Sequence, residues 1–159
     1  MQSALSPLGT GITTEGATPT AREETVLLVV VGAHLEGQPL NHQLTGRGAR
    51  LIDRTMTAPQ YRLFALGTEP PKPGLLRVSP RDRGASSIEV EVWELDVAAF
   101  GEFVNEVPAP LGIGRVRLAD GSEQGGFICE PIALDGALEI TQFGGWRGYL
   151  ESRVSPGPD

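Results

Sequence analysis

Six apolar residues in a row, Val26 to Val31, constrain this chain more than any other stretch. A run this short and this apolar reads as a strand buried on both faces. It stops at Gly32. The segment Gly32-Ala33-His34-Leu35-Glu36-Gly37-Gln38-Pro39 follows, a turn-rich loop that takes a histidine out of the strand. Glycines let backbone approach a ligand closely, and the N–H groups of such a loop can point at an anion. Both histidines of the chain, His34 and His42, fall in this region.

The totals narrow the surroundings of that loop. A chain of 159 residues with 40% hydrophobic residues supports one domain and one modest core. Its 21 glycines and 13 prolines favour a turn-rich β or α+β fold over a helical bundle. The net charge of −7 comes with no basic block, which argues against nucleic acid as a partner. A single cysteine, Cys129, leaves no internal disulfide and no Cys-rich zinc site. It lies in an apolar run and reads as a buried thiol. No apolar run reaches the roughly 20 residues that span a bilayer, so no membrane partner is expected. The N-terminus has no secretory pattern, so the cytoplasm is the expected compartment. Neither a metal nor a cofactor is expected. The Pro110-Leu111-Gly112-Ile113-Gly114 loop lacks a dinucleotide fingerprint.

Along the chain, residues 1–24 read as a disordered tail, residues 25–153 as the folded domain and residues 154–159 as a loose end. Asn41 to Gly48 allows one short helical turn. Ala49–Thr57 and Tyr61–Leu66 read as the two arms of a β-hairpin. The proline-rich Thr68–Pro73 is a stiff connection into a strand at Leu75–Val78. Ile88–Leu95 alternates cleanly, with Glu89 and Glu91 on the face expected to meet solvent. One helix is strongly signalled: Asp96 as N-cap, then Phe100, Phe103, Val104 and Val107 as an apolar stripe, then Pro108. A hairpin turn at Asp120-Gly121 leads to a return strand over Gly126–Leu134, with Pro131 at an edge or bulge. Ile140–Arg153 reads as a short helix weakened by two glycines.

The runs VVVGAHLEGQPLNHQLTGRGAR, APQYRLFAL, PPKPGLLRV, IEVEVWEL, PAPLGIGRVRLADG and FGGWRGYL, in this order from about Val26 to Leu150, resemble the C-terminal domain of allophanate hydrolases. The resemblance implies an α+β fold of the γ-glutamylcyclotransferase-like superfamily: a small, mostly antiparallel β-barrel with flanking short helices. It also implies a chemistry. In allophanate hydrolases an N-terminal amidase converts allophanate to N-carboxycarbamate and ammonia, and the C-terminal domain is assigned the decarboxylation that follows. The chain carries no amidase signature, so a freestanding form of this domain is expected. Its substrate would come from an amidase partner. γ-Glutamyl cyclisation is the weaker enzymatic reading, because Glu106 is the only acid near the position where cyclotransferases keep their general base. A non-catalytic assembly module for an amidase is the alternative.

Decarboxylation of a small dianion needs a proton for the departing nitrogen and donors for two carboxylates. His34 is the expected acid/base residue, against the alternative of a structural histidine. Gly32, Ala33, Leu35 and Gly37 are candidates to present backbone donors. Asn41 could offer an amide or cap the next turn, and His42 could bind or merely pack. Lys72, Arg62 and Arg147 are candidate cations for the carboxylates. Tyr61 is a candidate pocket wall, and the loop around Gly112 a candidate closure.

Overall fold

The computed structural model describes residues 24–154. The expected disordered tail, except its last residue, and all but the first residue of the expected loose end therefore lie outside the described residues. The elements in order are β1 (Thr25–Val30), α1 (His42–Thr45), β2 (Arg50–Met56), β3 (Tyr61–Leu66), β4 (Lys72–Arg77), β5 (Glu89–Asp96), α2 (Val97–Asn105), β6 (Leu111–Arg117), β7 (Glu123–Cys129), β8 (Leu138–Glu139) and α3 (Trp146–Val154). Short 3-10 turns at Pro131–Leu134 and Thr141–Phe143 flank β8. None of the described helices is long and apolar enough to cross a membrane.

The fold is mixed α+β, built on two sheets. The larger runs β2-β5-β1-β7-β6, and the smaller β4-β3-β8. β1 is the middle strand of five, and Leu28, Val29 and Val30 have no exposed surface. This is the environment that an unbroken apolar run requires. Most pairings are antiparallel, but β1 lies parallel to β7 through Leu28–Gly125 and Val29–Gly126. One bridge, Thr57–Leu118, joins the ends of the outer strands β2 and β6; Ala58 N donates to Arg117 O and Ala119 N to Met56 O, both at 2.9 Å. No further ladder joins β2 to β6 among the described residues, so the larger sheet stays open along its length.

Two expected elements are corrected. β2 and β3 are not a hairpin: β2 pairs with β5, and β3 pairs with β4 and β8. Opposite charges across the β2–β5 ladder favour this pairing. In register, Arg50 faces Glu94 and Arg54 faces Glu91, whereas β3 has no such acids to offer. The strand expected to run to Leu134 ends at Cys129, and Pro131 opens a 3-10 turn instead, as a residue without an N–H suits a first helical position.

The helix expected after Asp96 is present. Asp96 Oδ1 accepts from Ala99 N at 2.8 Å, satisfying one of the free N–H groups of the first turn. α2 buries Phe103 to 1% exposure and packs on β1 and β5. The last helical segment is split: Gly144, at φ +79°, ends the 3-10 turn before α3 begins.

Candidate functional site

Gly32 is the first residue of the loop, and its lack of a side chain is required. A Cβ there would lie 2.1 Å from Cδ of Pro73. The loop then turns on itself, with Leu35 N donating to Gly32 O and Leu40 N to Ala33 O. Leu35 has no exposed surface. Burying it contributes on the order of 2 kcal/mol, which offsets part of the cost of ordering the turn. Gly37, at φ +86°, closes the turn in a conformation other residues resist. Asn41 stands at the N-cap of α1 without capping it. Its Nδ2 instead donates to His34 O at 2.8 Å and so ties down the histidine backbone.

The imidazole of His34 is held on three sides. It stacks on Phe127 at a centroid distance of 5.0 Å and 14° between planes. Phe103 meets it edge-on at 5.1 Å. Nε2 lies 2.8 Å from Gln43 Oε1. Only 7% of the residue is exposed. Burial is the main cause that lowers its pKa to about 4; the bond to Gln43 opposes this, while the charges of Lys72 and His42 add to it. His34 is therefore neutral at pH 7.

Lys72 comes to the same place from β4. It is also 7% exposed, and its Nζ has no hydrogen-bond or ion-pair partner among the described residues. His34 and Lys72 share a cavity of about 180 Å³ with Gln43, Phe103, Phe127 and Glu106. The pair also lines an adjoining cleft with Gly32, Ala33 and Pro73. Apolar walls, a lysine and a neutral imidazole suit a small anion that gains a proton. Glu106 stands at this cavity bound to Arg47 at 2.8 Å, with most of its side chain exposed.

Other expected residues lie elsewhere. Leu35 and Gly37 serve the turn rather than the cavity lining. His42 is exposed, and its Nδ1 bonds Pro39 O at 2.9 Å. Gly112 sits within the β6–β7 ladder opposite Ile128. Tyr61 is fully buried, with its hydroxyl accepting from Arg117 N and Arg77 Nε. Arg62 is taken up by Asp82 and Glu139, at 2.7 and 2.6 Å. Neither Tyr61 nor Arg62 lines the cavity with His34. Arg147 instead clamps the loop: Nη2 donates to Glu36 O at 2.7 Å and to Glu91 at 2.9 Å. Glu91, expected at solvent, is fully buried and also accepts from Glu36 N and Trp93 Nε1.

The buried neutral imidazole has a consequence for stability. In the unfolded chain His34 titrates near 6.5, and in the folded chain near 4. Between these values the unfolded state binds more protons, so stability rises with pH across the window and is whole above it. Lowering the pH from 7 to 4 is expected to remove about 3 kcal/mol through this residue. Urea denaturation at stepped pH reads it, and His34→Gln should flatten the slope between pH 6.5 and 5.

The strand order, the covered β1 and the cavity at the end of that strand define a small α+β domain with a largely apolar pocket that holds a histidine and a lysine. Residues 26–151 match the allophanate hydrolase C-terminal domain, and the chain belongs to that family. It is similar to the urea amidolyase of Saccharomyces cerevisiae, at 45% identity over 130 residues that make up 79% of this chain and 7% of that protein. It is also similar to an allophanate hydrolase of Kluyveromyces lactis, with a TM-score of 0.76 and 42% identity over 80% of this chain and 21% of that one. A third likeness is to c4763, a uropathogenic E. coli-specific protein, with a TM-score of 0.73 and 35% identity over 80% of this chain and 97% of that one. The chain thus spans about 7% of the length of the urea amidolyases it matches.

Proposed function

We propose that this domain promotes decarboxylation of N-carboxycarbamate, or of a closely similar dianion with two carboxylates on one nitrogen, delivered by an amidase partner in urea or allophanate breakdown. The proposed compartment is the cytoplasm, and folding as an independent domain over residues 25–153 is part of the proposal. One observation carries it: His34 and Lys72 line one cavity, and no described residue pairs with Lys72. The family supports it, since relatives named allophanate hydrolase and urea amidolyase carry this domain.

The chemistry follows from the charges. A dianion beside the imidazole favours its protonated form, so substrate and proton enter together. An imidazolium in an apolar wall is a strong acid and gives its proton up readily. The C–N bond breaks, its electron pair stays on nitrogen and takes the proton, and carbamate and CO2 result. Lys72 holds one carboxylate, and the backbone at Gly32 and Ala33 offers donors to the other.

The test is CO2 release from amidase-generated N-carboxycarbamate, with the protein expected to speed it well above the uncatalysed rate. A rate unchanged by added protein overturns the proposal. Malonate, which carries its two carboxylates on carbon, serves as a stable probe. Lys72→Met should weaken malonate binding about tenfold or more, because a hydrogen bond to a charged group contributes about 1.5–3 kcal/mol. Calorimetry measures this directly.

A further inference from the structure

Gln43 is the only polar side chain bonded to the His34 ring among the described residues. It sits in the single turn of α1, a position no spacing rule singles out. Its own placement is fixed from behind. Gln43 N donates to Leu40 O, and Gln43 O accepts from Arg47 Nη1 at 2.9 Å. Arg47 lies over the ring of Phe103 at 5.8 Å and pairs with Glu106. Phe103 in turn meets His34 edge-on. The contacts therefore close a circuit around the imidazole.

The amide atom turned toward the ring is Oε1, and an amide oxygen only accepts hydrogen bonds, so in this orientation of Gln43 the facing ring nitrogen carries the hydrogen. We propose that Gln43 is a positioning residue that holds His34 as the Nε2–H tautomer, leaving Nδ1 as the atom that takes up the proton and passes it to the substrate nitrogen. The proposal rests on the decarboxylase reading for its catalytic half. Its structural half stands on the ring geometry alone. The choice of an amide has a physical reason. A carboxylate in this place would orient the ring equally well but would hold a proton on it permanently. A neutral partner orients the ring without making it basic. Protonation then waits for the dianion, against the nearby positive charges of Lys72 and Arg47 and the exposed His42, with Glu106 as the facing acid.

The experiment uses the full chain labelled with ¹⁵N-histidine at pH 7. There are two histidines, so His42→Gln assigns the His34 signals. Wild type is expected to show one bare nitrogen, Nδ1, and one hydrogen-bearing nitrogen, Nε2. Gln43→Leu should give a mixture of tautomers. Gln43→Glu, which keeps the acceptor, should keep the hydrogen on Nε2, raise the pKa of His34 and serve as the folded control. In single-turnover CO2 release, Gln43→Leu should lose about 100-fold in kcat, the scale set by misplacing a reacting group, with malonate affinity nearly unchanged. A hydrogen on Nδ1 in wild type, or one unaltered tautomer in Gln43→Leu, overturns the structural half. An unchanged kcat in Gln43→Leu overturns the catalytic half. If wild type releases no CO2, the functional reading and the catalytic half fall together, and the NMR result alone decides the tautomer.

Discussion

Glu91→Ala is expected to lower the unfolding free energy by about 3–5 kcal/mol, the loss typical of breaking a buried ion pair from one side. Glu91 has no exposed surface and stands in the middle of β5. It accepts from Glu36 N at 2.9 Å, Trp93 Nε1 at 3.0 Å and Arg147 Nη2 at 2.9 Å, with Arg54 Nε at 3.6 Å. Burial pushes its carboxyl up, but the donors from Glu36, Trp93 and Arg147 outweigh burial and hold it below its ordinary value. Removing the carboxylate orphans three donors at once. Arg147→Ala should cost less, because its side chain is 28% exposed and water can replace part of what it gives. The double variant should lose less than the two singles together, since they share one interaction. The same clamp holds Glu36 by both its N–H and its carbonyl, two residues after His34. Untying it should therefore blur the His34 ring as well as lower stability. Urea denaturation measures the first effect, and a loss under about 1 kcal/mol would show that the charge at Glu91 is not what fastens the loop.

The sequence was most legible where a local signal and the global fold agree. β1 was plain because an unbroken apolar run has only one comfortable place, the centre of a covered sheet. α2 was plain because a cap and a stripe at 3.6-residue spacing coincide. The turn around His34 was also legible, since Gly32 and Gly37 mark it. What local pattern could not provide was pairing between distant strands. β2 and β3 look like a hairpin because they are neighbours in sequence, yet β2 pairs with β5, some 40 residues later, as the register of Arg50 with Glu94 shows. For the same reason Glu91 read as solvent-facing. Alternation predicts a face but not what covers it, and here α3 brings Arg147 across. Lys72 stood out as a candidate cation, but nothing in its place between prolines foretold its burial. It is buried because Pro73 is tolerated in β4, an edge strand, and the strand starts three residues earlier than expected. Gln43, Phe103 and Phe127 carried no signal for the site, since nothing in their spacing separates a wall of a cavity from ordinary core.

His34→Ala is expected to slow CO2 release from N-carboxycarbamate by about 10²–10⁴-fold, the range for removing a positioned acid/base group. The loss should fall on kcat. Lys72 and the Gly32–Ala33 backbone remain in the cavity, so malonate should still bind. The variant also tests whether a proton accompanies the dianion. In wild type burial holds His34 neutral, with a pKa of about 4. If a bound dianion raises that value, malonate must bind more tightly as the pH falls from 7 toward 4, after allowance for malonate's own protonation. His34→Ala should remove that slope while leaving affinity at high pH near that of wild type. Added imidazole, entering the space left by the ring, should recover part of the rate. The stacking faces of Phe103 and Phe127 remain to receive it. Equal CO2 release by wild type and His34→Ala would leave the imidazole as a filler between two phenylalanines. The anion pocket would then depend on Lys72 alone, which can hold a carboxylate but has no ring nitrogen with which to time the proton's arrival.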